Sequence, residues 1–115
     1  MKREQLKEIA DLRNQFLDNQ IKIVMDEVVP TVHLILDNKI QTNAKDGIYN
    51  LIFYLNSFLS NVSFFQHNPL SDKNIFFVKT RLEQIIKNYA DENNLTVSKP
   101  KTSRENEDLY GLEWG

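Results

Sequence analysis

The sequence contains no cysteine, which excludes a disulfide framework, a thiolate metal site and a cysteine nucleophile. This composition is consistent with a reducing compartment. Glycine occurs three times, as Gly47, Gly111 and Gly115, so no glycine-rich loop is available to hold a phosphate group. With a net charge of -2, the chain has no basic excess that would attract a nucleic-acid backbone. We therefore do not expect nucleic acid to be the partner.

The first residues also lack an export signal, because Met1 to Glu8 alternate in charge and contain no apolar core. We expect a cytoplasmic protein. The high content of Asn, Lys and Ile favours an AT-rich coding genome, as in many phages and low-GC bacteria.

Histidines and acidic residues form no recognisable catalytic or metal-binding pattern. His33 lies in an apolar segment and His67 lies in a turn, and neither has a Glu or His at the spacing that zinc sites require. Adjacent acids such as Asp26 and Glu27 point in different directions on a helix. We expect no enzymatic activity, no metal and no cofactor.

The spacing of apolar residues predicts a long first helix, interrupted near Pro30. Its apolar stripe consists of Leu6, Ile9, Ala10, Leu17, Ile21, Val24 and Val28, with Phe16 beside it. Proline suits the first position of a second helix, which we expect to end between Asn38 and Asn43. A short strand over residues 31–36 is the alternative, because this run is rich in β-branched residues.

Between Asp46 and Asp72 the chain has no Asp, Glu, Lys or Arg. Apolar residues occupy most helical positions from Ile48 to Phe65, which predicts a third helix that protein covers on several sides. A membrane span is disfavoured, because several Asn and Ser side chains interrupt the segment and would need partners inside lipid.

A fourth helix is predicted from Asp72, with Ser71 as its N-cap. Asn93 or Asn94 can adopt the left-handed conformation that ends a helix, and Leu95 would pack back against the last turn. Four helical segments on short connections predict an all-α fold, either a small helical bundle or an orthogonal helical array. An α+β fold is the alternative if residues 31–36 form a strand.

After Val97 the composition becomes polar as far as Asp108. Such a run has no apolar residue whose burial could compensate for ordering it. The predicted organisation is therefore a helical domain over residues 1–97, followed by a flexible linker and tail over residues 98–115.

The tail ends in large apolar side chains, which are expected to bind in a groove because their burial is strongly favourable. Acidic residues precede them and would direct the tail to a groove edged with Lys or Arg. The predicted partner-binding residues are Glu107, Asp108, Leu109, Tyr110, Leu112 and Trp114. The sequence leaves open whether the groove belongs to an external protein, to the chain's own core or to the other subunit of a dimer.

Part of the tail resembles the acidic, aromatic C-terminal peptides with which some phage polymerases and late transcription factors bind a sliding clamp. The resemblance covers Asp108, Leu109, Tyr110 and Leu112. It implies no activity for the rest of the chain.

Two classes of function follow from these patterns. The first is a helical interaction protein, acting as an adaptor, inhibitor or accessory factor, which binds a larger protein through its C-terminal tail. The second is a self-assembling structural or chaperone-like protein that uses its apolar surface and tail for contacts between copies. In both cases we expect a homodimer.

Overall fold

The computed structural model describes residues 2–59, 62–68, 70–98 and 109–115, with the exception of the side chain of Asn56. The fold is mainly helical and includes a small three-stranded antiparallel sheet, an arrangement compatible with an α+β class. The helices are α1 (Arg3–Glu27), α2 (Val29–Lys45), α3 (Ser63–His67) and α4 (Asp72–Glu92). The strands are β1 (Asn50–Tyr54), β2 (Thr96–Ser98) and β3 (Leu109–Glu113), and a 3-10 helix (Leu55–Phe58) follows β1. The molecule is elongated, with extents of 63 × 30 × 22 Å.

The break between the first two helices is confirmed. Val28 separates α1 from α2, and Pro30 lies in the first turn of α2, where its missing N–H has no partner to lose. The alternative of a strand over residues 31–36 is wrong, because this stretch lies within α2. Val32 and Leu36, one helical turn apart, are both buried on the same face. α2 continues past the predicted end to Lys45.

Gly47 ends α2 and directs the chain into the sheet. Its φ is +77°, a left-handed conformation that glycine adopts without a steric penalty. The Gly47 amide donates to the Ala44 carbonyl at 3.0 Å, and the Ile48 amide donates to the Asn43 carbonyl at 2.9 Å. This pattern is a Schellman close, which satisfies carbonyls that the end of a helix leaves free.

The predicted third helix over Ile48 to Phe65 is wrong. The described residues of this segment form β1, the 3-10 helix and the short helix α3. Along β1 burial alternates with the two-residue period of a strand, with Leu51 and Phe53 buried and the flanking residues exposed. The many β-branched and aromatic residues of the segment favour this outcome once a partner strand is present.

That partner is β3, which lies between β1 and β2 and is antiparallel to both. Leu112 is opposite Leu51 of β1 and Val97 of β2. The flexibility predicted for residues 98–115 is therefore wrong for Ser98, which ends β2, and for residues 109–115. Residues 99–108, the rest of the predicted linker and tail, lie outside the described residues.

The fourth helix and its caps are confirmed. The Ser71 side chain accepts a hydrogen bond from the Asn74 amide at 3.3 Å. Asn94 has a φ of 55°, and the Leu95 amide donates to the Ala90 carbonyl at 2.8 Å, as expected for a Schellman close. α4 supplies one wall of the core, whose largest fully buried side chains are Ile21, Met25, Val32, Leu36, Leu55, Val78, Leu82, Ile86 and Leu112.

A polar contact joins α4 to α2 at the edge of this core. The Tyr89 hydroxyl donates to the Asp37 carboxylate, and the Tyr89 ring makes an edge contact with the ring of His33 at 5.2 Å between centroids. Burial of the Tyr89 hydroxyl and its bond to Asp37 both raise the pKa of Tyr89 well above its usual range.

We expect Tyr89→Phe to lower the free energy of unfolding at neutral pH by about 1–2 kcal/mol, because a hydrogen bond to a charged acceptor is lost. The pKa of Tyr89 is higher in the folded than in the unfolded chain, where it is 10.0. The contribution is therefore complete below about pH 10 and is lost as the pH rises from there towards the folded pKa. Urea unfolding across this range should show a smaller alkaline loss of stability in Tyr89→Phe. Identical pH profiles for the two proteins would contradict the assignment.

Candidate functional site

The structure places the predicted C-terminal anchors inside the fold. Leu109, Tyr110 and Leu112 are 8%, 5% and 0% exposed, and the half-buried Trp114 packs against the same core. The Trp114 amide donates to the Tyr49 carbonyl at 3.0 Å, which extends the β1–β3 pairing by one residue. Of the three possibilities for the tail, the described residues show the second, binding to the chain's own core. Binding of an external protein by these residues stays a prediction.

Glu107 and Asp108, the predicted acidic residues of the site, lie outside the described residues. The acidic residue that the structure does place here is Glu113, which ends β3 and is exposed.

A first exposed apolar surface lies on the outer side of β1. Ile52 and Tyr54 are 53% and 52% exposed and point to the same side because they are two residues apart in a strand, and we call these two residues the aromatic face. An open cleft of about 540 Å³ adjoins it, lined by Tyr49, Asn50, Glu113 and Gly115. An apolar surface with an acidic residue at its border is therefore accessible to a partner.

The main-chain edge of β1 is less accessible than its side chains. Tyr49 and Trp114 form a hydrogen-bonded pair. Hydrogen-bonded and non-hydrogen-bonded pairs alternate along an antiparallel ladder. Asn50, Ile52 and Tyr54 therefore belong to non-hydrogen-bonded pairs and direct their main-chain N–H and C=O groups away from β3. Two of those carbonyls already accept hydrogen bonds within the chain. Asn50 accepts from the Asn43 side chain at 2.9 Å, and Tyr54 accepts from the Ser57 hydroxyl at 2.6 Å.

Side chains commonly protect the edges of natural sheets in this way against the addition of another strand. The aromatic face therefore supports binding through side chains better than it supports strand addition.

A second exposed apolar surface lies on α1, where every residue from Lys2 to Phe16 is exposed. Four large residues follow one another on the face of this helix that points away from the core. We call them the α1 seam: Ile9 (55% exposed), Leu12 (61%), Phe16 (50%) and Ile23 (51%). At 3.6 residues per turn the mean direction of the seam is rotated by about 150° from the buried Ile21 and by about 170° from the buried Met25. Packing of the monomer thus leaves the seam uncovered.

Only part of this seam was predicted from the sequence. Ile9 was placed in one stripe together with Ile21, and Leu12 and Ile23 were missed. The available signal was the spacing of three, four and seven residues between Ile9, Leu12, Phe16 and Ile23. This spacing belongs to a second face, because the core stripe is offset from it around the helix.

The described part of the chain shows no cluster of side chains arranged for catalysis or metal binding. His33, Asp37 and Tyr89 lie close together. The Tyr89 hydroxyl already donates its hydrogen bond to Asp37, and the Tyr89 ring packs into the core. Among the described residues no group of three His, Cys, Asp or Glu side chains is placed to hold a metal ion. None of the described helices is long and apolar enough to span a membrane.

Comparison with models of known protein families finds no match. Neither a curated protein nor a solved structure is significantly similar to the chain.

Proposed function

We propose that this chain is a small protein-interaction protein, which works by binding another protein and performs no catalysis itself. The observation that supports this function best is the aromatic face, where two large side chains are more than half exposed on one side of a sheet whose other side is packed on the core.

The composition of the aromatic face suits protein binding. Tyrosine offers a large contact area at a low cost in conformational entropy, and tyrosines are enriched among residues that dominate binding energy. Tyr54 lies beside Ile52, while Glu113, which is paired with Asn50 on the same side, lies at one end of the surface. The matching partner surface is an apolar groove with Lys or Arg at its edge, where the charge mainly directs orientation and the rate of association.

We expect Ile52→Lys to reduce partner binding by at least about tenfold, because it puts a charge in the centre of the contact. Ile52 is exposed, so the melting temperature should change by no more than about 2 °C. Affinity capture with the full chain and quantitative mass spectrometry measures the loss. The matched control is Leu34→Lys, which adds the same charge at a leucine of α2 that is 60% exposed.

Proteins that are lost with Ile52→Lys and retained with Leu34→Lys would identify the partner. The aromatic face would be excluded as the site if both variants captured the same proteins in the same amounts as the wild-type chain.

Self-assembly is the second candidate function. The α1 seam favours it, because four large apolar side chains on a folded helix are left in water by the monomer.

A further inference from the structure

We propose that the α1 seam binds the same seam of a second copy of this chain, so that the two α1 helices form a parallel, two-stranded coiled coil. This inference rests on the second candidate function and specifies its partner and geometry. It is independent of the aromatic face, which lies on a different element.

The seam has the spacing of a heptad repeat. Ile9, Phe16 and Ile23 are seven residues apart and occupy the a positions, and Leu12 and Asn19 occupy the d positions between them. Isoleucine at a with leucine at d favours two parallel strands. A single polar residue within the apolar layers, here Asn19, is a recurrent means of fixing the register.

The charges beside the seam are compatible with a second copy of this chain in parallel orientation. In a parallel dimer each g residue faces the e residue that lies five positions later in the other copy, and these pairs set orientation and partner choice. The facing pairs are Glu8 with Arg13, Gln15 with Gln20 and Lys22 with Glu27. Two pairs are oppositely charged and the third joins two amides, so every pair is compatible with its own copy.

Arg13 already has contacts within its own chain. Its guanidinium donates to the Asn68 side chain at 3.2 Å and lies 5.2 Å from the centroid of the Phe16 ring. A guanidinium has five N–H donors, so the bond to Asn68 leaves donors for Glu8 of the second copy.

The body of the molecule does not obstruct this pairing. Ile21 and Met25 attach α1 to the core on the opposite face, so two copies can meet with their bodies on the outside. The seam ends at Asp26, which occupies the next d position and lies 3.4 Å from Arg81 of α4. The apolar contact thus runs from Ile9 to Ile23, over about 21 Å of helix.

Sedimentation equilibrium of the full chain should give about twice the monomer mass of 13.5 kDa. Leu12→Glu should raise the dissociation constant at least about tenfold, because it places two carboxylates in the centre of the seam. Leu34→Glu is the matched control and should leave the dimer intact, since Leu34 of α2 is as exposed as Leu12, at 60% against 61%. A wild-type chain that stays monomeric, or a dimer unaffected by Leu12→Glu, would overturn the proposal.

The orientation can be tested by cross-linking, because the chain contains no cysteine of its own. Equivalent d residues face each other in a parallel dimer, so Leu12→Cys should form an intermolecular disulfide rapidly on mild oxidation. Leu34→Cys should remain largely uncross-linked. A dimer in which Leu12→Cys cross-links no faster than Leu34→Cys would overturn the parallel register.

A charge exchange tests the pairing itself. Lys22→Glu and Glu27→Lys should each weaken the dimer roughly threefold to tenfold, because each puts like charges opposite one another in both symmetric pairs. The double variant should recover the wild-type dissociation constant, which loss of folding could not explain. Additive weakening in the double variant would overturn the assigned pairs. Ile52→Lys should leave the dissociation constant of the dimer unchanged. The dimer experiments therefore test the seam separately from the partner binding that is proposed for the aromatic face.

Discussion

Shortening the chain to residues 1–98 should abolish cooperative folding. The shortened chain lacks β3, and within the described residues β1 and β2 are paired with β3 and not with each other. The truncation also removes three buried side chains from the core, those of Leu109, Tyr110 and Leu112. Full burial of each such side chain contributes about 1.5–3 kcal/mol. A chain of this length has a total stability of only about 6–17 kcal/mol, at about 0.05–0.15 kcal/mol per residue, so the loss is a large fraction of the whole.

The test is thermal and urea unfolding of the shortened chain by circular dichroism, together with binding of a dye that reports exposed apolar surface. We expect retained helical signal, a broad transition and strong dye binding, as in states that keep secondary structure without fixed packing. Adding a peptide of residues 106–115 should restore part of the transition, and the same peptide with Leu112→Asp should not. A sharp transition in the shortened chain would show that its C-terminal segment is a docking peptide, as the sequence suggested.

Helices α1, α2 and α4 could be predicted because their signals are local. Pro30 marks the start of α2 through its fixed φ and missing N–H, and Ser71 marks the start of α4 through its bond to the Asn74 amide. Asn94 marks the end of α4 through its left-handed conformation. Each of these residues acts on neighbours a few positions away, so its effect is visible without knowledge of the fold.

The sheet could not be predicted, because its pairing is not local. The segment from Ile48 to Tyr54 is apolar at almost every position, and a short apolar run fits a buried helix as well as a buried strand. What decides in favour of the strand is β3, at the other end of the sequence. One local signal was available in Gly47, whose left-handed conformation closes a helix, whereas the segment had been expected to open one.

The sequence predicts that the apolar residues of the tail are buried, but not which surface buries them. The sequence indicates correctly that Leu109, Tyr110 and Leu112 need a covered site, because the cost of leaving them in water is set by the side chains themselves. It could not indicate whose surface covers them, since the same gain is obtained in the chain's own core and in a partner's groove. For the α1 seam the information was present, and a search for two faces in one helix would have recovered it.

Leu112→Ala should lower the free energy of unfolding by about 2–5 kcal/mol, because the leucine is fully buried and a cavity would remain. Its neighbours across the sheet, Leu51 and Val97, are held by main-chain pairing and can close the space only partly. Leu34→Ala removes the same atoms from a site that is 60% exposed and should cost less than about 1 kcal/mol. Urea unfolding of the three proteins measures both differences.

The same pair of variants separates the two roles considered for the C-terminal residues. If Leu112 were an anchor for an external protein, its replacement would weaken capture of that protein and leave the urea midpoint where it was. In the sheet, Leu112 has no exposed surface left for a partner, so the midpoint should fall while the aromatic face, formed by Ile52 and Tyr54, remains available. At a temperature where Leu112→Ala is still folded, this variant should therefore capture as much of the partner protein as the wild-type chain does. Loss of capture with an unchanged urea midpoint would show that β3 does not bind the partner in its buried arrangement.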